Sequence, residues 1–197
     1  MKRAPMILAA LALGLAVPAT AGYKLLGPNQ PVQIAKSLLK VTPQSEWNRL
    51  GKRIGRNAES WTLDGLSLND LSFYGGIEAG MPLFREVDKA NRPLPHFSTT
   101  MLAPDIAQLF EGSYRIANET SLMTIDAIEP ARFAGHDGFH FTYNFTLQSD
   151  EVVRKGEAIG AVVNNRLYMI TFEAPEIFYF ARDVERFRSI AATAKLG

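Results

Sequence analysis

Gly138-Phe139-His140-Phe141-Thr142-Tyr143-Asn144-Phe145-Thr146-Leu147 alternates without a break. Phe139, Phe141, Tyr143, Phe145 and Leu147 share one parity, and His140, Thr142, Asn144 and Thr146 share the other. Successive side chains of a β-strand point to opposite faces. The stretch therefore predicts a strand with an aromatic ladder on one face and a polar row on the other. On a helix the same aromatics would be scattered around the axis. Burying such a face contributes roughly 1.5–3 kcal/mol per large side chain as an upper value, so a covering element is expected.

Two stretches have the periodicity to provide that cover. Over 103–117, Ile106, Leu109, Phe110, Tyr114 and Ala117 form one stripe at helical spacing. Pro104 suits a first helical turn and Asp105 complements its positive end, while Gly112 weakens the middle. Over 176–194, Ile177, Phe180, Val184, Phe187 and Ala191 form a second stripe, with Arg182, Asp183, Glu185, Arg186 and Arg188 on the wet side. Between them, strands are expected at 121–133, 152–163 and 166–173. Turns are expected at 134–138, 148–150 and Asn164-Asn165, since Asn tolerates positive φ. Leu167, Tyr168, Met169, Ile170 and Phe172 sit at both parities, which predicts a strand covered on both faces, and Ala174-Pro175 ends it.

The first half is less regular. Residues 32–41 read as one strand ended by Pro43, and 44–51 as a loop or short helical turn. Residues 59–74 read as a hairpin about Asp64-Gly65, with a bulge near Asn69-Asp70 where the apolar parity shifts. Gly75-Gly76 and Gly80-Met81-Pro82 then loosen the chain. Residues 75–100 are expected to be mostly loop, with one short strand at 83–87. A loop of this length is uncommon and often functional. The fold expected is α+β: an antiparallel β-sheet with helices packed on it.

Lys2 and Arg3, the apolar run 6–17, Pro18 and the small-x-small Ala19-Thr20-Ala21 read as a secretory signal peptide over 1–21. The run is shorter than the ~20 residues that span a bilayer. An uncleaved N-terminal anchor is the alternative. Residues 22–197 would then form a single domain of 176 residues with 19 basic and 20 acidic side chains, a formal net charge of −1. That balance, without runs of like charge, gives no support to a nucleic-acid partner or electrostatic membrane docking. The chain has no Cys, which removes disulfides, cysteine-based metal sites and N-terminal lipidation at cysteine. An exported chain without cysteine points to a bacterial periplasm or medium. Asn118-Glu119-Thr120 and Asn144-Phe145-Thr146 match glycosylation sequons, which are incidental in such a compartment.

The order from Met101 onward resembles the PsbP-like superfamily. An amphipathic helix is followed by antiparallel strands, a tight Asn-Asn turn, Leu167-Tyr-Met-Ile-Thr-Phe172, Ala174-Pro175 and a closing helix near Ser189-Ile190. This covers about half of residues 22–197. The resemblance implies an αβα sandwich and a binding or accessory role without catalysis. It carries over no ligand-binding residue, and fold alone does not transfer function.

No Gly-x-Ser-x-Gly elbow, P-loop or dinucleotide fingerprint is present, and no cofactor is expected. His136-Asp137 and His140 lie close in sequence, but four strand residues span roughly 13 Å. Two ligands on one zinc must lie far closer, so no metal is expected unless the Gly135/Gly138 turn folds His136 back. Glu173 and Glu176 flank Pro175 as a pair of carboxylates, and for Glu176 a solvated or helix-N-terminal role is expected over acid–base catalysis. Trp47, Arg49, Lys52, Arg53 and Arg56 place an aromatic beside a small basic cluster. The functional reading is a surface for an acidic partner; the structural one is a Trp tucked under a sheet edge with solvated basic groups.

The expectation is an exported, non-catalytic binding or accessory protein of the bacterial envelope, its partner another envelope protein. Its contact surface would draw on residues 75–100 and 47–56, with Trp47, Arg49, Arg53, His96, His136, Asp137 and His140 as candidate residues. The alternative is a small periplasmic hydrolase in which His136, His140 or His96 meets a Ser and an acid near the 135–140 turn. A third reading, a small-ligand carrier, requires a sizeable, mostly apolar cavity.

Overall fold

A computed structural model describes residues 22–118, 120–148 and 151–197. The signal-peptide stretch 1–21 lies outside the described residues, as do Ser149 and Asp150 of the expected 148–150 turn. In chain order the strands are β1 (Tyr23–Leu26), β2 (Val32–Gln33), β3 (Leu39–Val41), β4 (Trp47–Leu50), β5 (Ala58–Thr62) and β6 (Asp70–Glu78). Helix α1 (Ala103–Ala117) separates these from β7 (Thr120–Phe133), β8 (His136–Leu147), β9 (Arg154–Val163) and β10 (Arg166–Pro175). Helix α2 (Ala181–Ala192) and β11 (Lys195–Leu196) close the chain. Eight strands form one antiparallel sheet in the order β1-β4-β5-β6-β10-β9-β8-β7, and β11-β3-β2 form a small second sheet. No helix among the described residues is long and apolar enough to cross a membrane.

Side-chain parity sorts the core into two clusters. Phe139, Phe141, Tyr143 and Phe145 of β8 pack with Ile106, Leu109, Phe110 and Tyr114 of α1. Phe110 lies between Phe141 and Tyr143 at ring-centroid distances of 5.7 and 5.1 Å, and Tyr114 is 5.0 Å from Phe145. The aromatic ladder is thus covered by the first amphipathic helix. The second cluster holds Trp47, Trp61, Leu71, Phe73, Ile170 and Phe172 with Val184, Phe187 and Ile190 of α2. Strand β10 divides its side chains between them: Leu167 and Met169 join the α1 cluster, Tyr168, Ile170 and Phe172 the α2 cluster.

The hairpin joining β7 and β8 turns at Ala134-Gly135, both at positive φ (49° and 84°), so His136 and Asp137 belong to the strand and not to the turn. Asn164-Asn165 turns as expected, with φ of 49° and 60°.

The first half departs further from the sequence reading. Residues 32–41 break into β2 and β3 because Ala35 and Lys36 take positive φ and the Ala35 amide donates to the buried Glu59 carboxylate. Trp47–Leu50 is a strand, pairing with β1 and β5; tertiary pairing overrides its polar local pattern. The β5–β6 connection is a seven-residue loop, 63–69, and not a two-residue turn at Asp64-Gly65. Asn69 organises it: its side-chain oxygen accepts from the amides of Leu63 and Asp64 and from the Thr62 hydroxyl. The irregularity expected near Asn69-Asp70 lies instead at Gly76, where Leu167 pairs with Ile77 and Tyr168 with Gly75. Gly76 has φ 80°, and a β-carbon there would sit 3.0 Å from the Tyr168 ring. A bulge that uses positive φ keeps the glycine pair inside β6. Residues 83–87 form no strand. The closing helix begins at Ala181, five residues later than expected. Residues 176–180 form a wide turn with Phe178 at φ 73°, and the Glu176 amide donates to the Val153 carbonyl.

Candidate functional site

Where the α1-side face of β6 and β10 runs out of apolar side chains, it opens into a cavity of about 290 Å³. The alternation explains this. On β6, Asp70 and Ser72 share the parity of Tyr74; on β10, Thr171 and Glu173 share that of Leu167 and Met169. Asp70 pairs directly with Glu173, and Ser72 with Thr171. Cross-strand partners have side chains about 5 Å apart, so two carboxylates meet on a floor that would otherwise be core. Tyr74, Phe84 and Tyr114 form the aromatic wall, Leu50, Ile54 and Leu66 add apolar surface, and Lys52, Arg53 and Arg85 stand at the mouth.

Each acid is held in place. The hydroxyls of Tyr114, on α1, and Tyr143, on β8, donate to the two oxygens of Glu173, the latter at 3.1 Å. The Ser72 hydroxyl donates to Asp70 at 2.8 Å and lies 2.7 Å from that of Ser60. Burial, and then the neighbouring Asp70 charge, push the Glu173 carboxyl up to about 8, with the tyrosine bonds and Arg154 acting in the opposite sense. Burial likewise raises Asp70 to about 6 against the pull of Ser72 and Ser60. The phenols of Tyr74, Tyr114 and Tyr143 are pushed well above their ordinary range, first by burial and then by these acids. Both carboxyls therefore hold a proton more readily than a solvated acid does.

The seat of Tyr143 depends on Gly156, its cross-strand partner on β9. A β-carbon at 156 would stand 2.0 Å from the ring. Only the bare backbone lets the ring lie across β9 with its hydroxyl on Glu173.

The expected site residues are dispersed. Trp47 is completely buried in the α2-side core, which corrects its assignment to a contact surface. Arg49 is committed to the buried carboxylate of Glu59, which also accepts from the Trp61 indole at 3.0 Å. Arg53 is the one member of that set on the cavity, and Lys52 stands beside it. His96 is exposed, its Nε2 3.7 Å from Glu86. His136 and Asp137 are exposed at the β7–β8 hairpin, where Asp137 pairs with Arg132 at 2.5 Å. His140 donates to Glu157 at 3.0 Å, and Arg188 of α2 binds the same carboxylate at 2.7 Å. The three histidines thus sit in three different places, and the hydrolase arrangement is not assembled at the 135–140 turn. Among the described residues no three His, Asp or Glu side chains are grouped so as to hold a metal ion. The 75–100 loop is partly core: Leu83, Phe84, Leu94 and Phe97 are buried, leaving the Arg85–Val87 lip at the cavity mouth. Glu173, paired in the sequence with Glu176 across Pro175, is the half-buried centre of the site.

No family model and no curated protein matches the chain. Among solved structures it is similar to the solution structure of cyanobacterial PsbP (CyanoP) from Synechocystis sp. PCC 6803. The TM-score is 0.54 at 13% identity, over 97% of this chain and 99% of that one. A crystal structure of LpqN, involved in cell envelope biogenesis of Mycobacterium tuberculosis, aligns at 7% identity over 88% and 91% of the chains, with a TM-score of 0.32. At such identities the likeness bears on fold alone. This antiparallel α+β chain has a fold that resembles PsbP.

Proposed function

We propose that the chain is an exported, non-catalytic binding or accessory protein of the bacterial envelope, and that the Asp70/Glu173 cavity is its working site. In this reading residues 1–21 are a cleaved export signal, and residues 22–197 fold as one domain with α1 and α2 on opposite faces of the sheet, a PsbP-like αβα sandwich. The leader pattern of residues 1–21 and the absence of cysteine support export to the envelope. The observation that carries the binding reading is the carboxylate pair at the floor of an aromatic-walled cavity, where the strand alternation would otherwise place core. Binding is favoured over acid–base chemistry because both oxygens of Glu173 already accept from buried tyrosines and Asp70 is fastened by Ser72. A catalytic acid has to present its proton to a substrate. An envelope partner would meet the same rim, on the 50–54 segment and the Arg85–Val87 lip.

Ala117, exposed in the last turn of α1 and lining the cavity, provides the test. Wild-type protein and Ala117→Trp are purified from envelope fractions, and their small-molecule extracts are compared by mass spectrometry. A compound that accompanies wild type and is depleted from the roofed variant supports the reading. Identical extracts from both refute it.

A further inference from the structure

The cavity is chemically divided along its depth. Its floor holds Asp70 and Glu173, and its mouth holds Lys52, Arg53 and Arg85. Among the described residues, no carboxylate pairs with any of these three cations; the Arg53 guanidinium reaches only the Arg56 carbonyl, at 3.4 Å. The rest of the lining is largely aromatic and aliphatic. Tyr74 and Phe84 meet edge to face at 5.9 Å, as do Phe84 and Tyr114 at 6.0 Å. A pure organic cation would suit the floor and the ring faces but would have to pass a cationic mouth. A pure anion would suit the mouth but would bring a like charge onto the floor. A molecule with both groups, separated by an apolar middle, satisfies every part of the lining.

We propose that the cavity binds a small zwitterion lengthwise, with its ammonium at Asp70 and Glu173, its apolar body along Tyr74, Phe84 and Tyr114, and its acidic group at Lys52, Arg53 and Arg85. This rests on the reading of the cavity as the working site and specifies its ligand class. The carboxylates keep acceptor capacity beyond the hydroxyl bonds they already receive, since each oxygen has two lone pairs. Ligand and proton compete for the floor. Tyr114 faces Glu173 from α1, Tyr143 from β8 and Arg154 from β9; Tyr74, Ser72 and Ser60 surround Asp70 from β6 and β5. Burial pushes the Asp70 carboxyl up to about 6 and that of Glu173 up to about 8. Affinity for an ammonium therefore rises as pH is raised through this window.

The test is calorimetric titration of the purified chain with ω-aminoalkanoates of increasing length, the matching alkylamines and the matching alkanoates. The expected result is a preferred aminoalkanoate length, with the amine about two- to fivefold weaker, as for one partly exposed charge contact. Alkanoates bind weakest, and aminoalkanoate affinity rises by about tenfold or more between about pH 6 and about pH 8.5. Asp70→Asn abolishes the advantage of the ammonium. The exposed double variant Lys52→Ala/Arg85→Ala leaves the fold alone and narrows the gap between aminoalkanoate and amine, Arg53 keeping the remainder. Alkanoates binding as tightly as aminoalkanoates, affinity that falls with rising pH, or binding indifferent to both variants would overturn the proposal. Silence from all three series would also overturn the zwitterion assignment. The extraction comparison with Ala117→Trp decides separately whether the cavity takes a ligand at all.

Discussion

Replacing Glu173 by Gln should stabilise the protein at alkaline pH and do little in mild acid. The folded state holds this carboxyl at about 8, against an ordinary value of 4.5. Between those values the folded chain keeps a proton that the unfolded chain has released, so stability falls as pH rises across the window. Each pKa unit corresponds to about 1.4 kcal/mol. The wild-type loss from below pH 4.5 to above pH 8 is thus on the order of 5 kcal/mol at most, and water entering the mouth reduces it to about 2–3 kcal/mol. Gln keeps the shape, accepts from one tyrosine through its oxygen and donates through its amide to the other. Urea unfolding followed by circular dichroism at about pH 5, 7 and 9 measures the difference. The two proteins should agree within about 1 kcal/mol at the lowest pH and separate progressively, with Gln the more stable, as pH rises. A parallel pair of curves, or a variant that loses ground as pH rises, would show that Glu173 is ionised and satisfied in the folded state.

Gly156→Ala forces its β-carbon against the Tyr143 ring and should cost about 1–3 kcal/mol; thermal unfolding gives the loss, and near-ultraviolet circular dichroism shows the displaced tyrosine. Phe110→Ala removes the ring that bridges Phe141 and Tyr143 and should cost about 3–5 kcal/mol in urea unfolding, with a cost below about 1 kcal/mol excluding α1 as the cover of the ladder. Burial alone would raise the Glu157 carboxyl, but hydrogen bonds from His140 and Arg188 outweigh it and hold the group below 4.5. Arg188→Met should therefore cost about 2–3 kcal/mol at neutral pH. The stability that the pair contributes is present above pH 4.5 and is lost as pH falls through the lower folded value, so the deficit should shrink in acid; a deficit independent of pH would show that Arg188 acts by packing alone.

The second half of the fold was legible because its elements are long and their periods unmixed. The 139–147 alternation, the α1 stripe and the Asn164-Asn165 turn each carry their own signal. The first half was not, because its strands depend on distant partners. Trp47–Leu50 becomes a strand only through pairing with β1 and β5. The break at Ala35-Lys36 is set by Glu59, 24 residues away. The Asp64-Gly65 signal was real for a turn but silent about length, which Asn69 decides from the far end of the loop.

The cavity was hidden for a related reason, and its trace in the sequence can still be read. Asp70 and Glu173 come from different halves of the chain, and neither forms a motif with its own neighbours. Each breaks a parity row instead. On β10 the row Leu167, Met169 continues as Thr171, Glu173, while the opposite row keeps Ile170 and Phe172 apolar. On β6 the row that leads to Tyr74 begins as Asp70, Ser72, while Leu71 and Phe73 stay apolar. A strand covered on both faces has no solvent to satisfy a polar half-row, so such a row needs partners from the protein. Here Tyr114, Tyr143 and Ser60 supply them. Had the protein needed only a closed core, apolar residues at 70, 72, 171 and 173 would have continued both rows without burying charge. The acids are better understood as the end of the core and the beginning of a site.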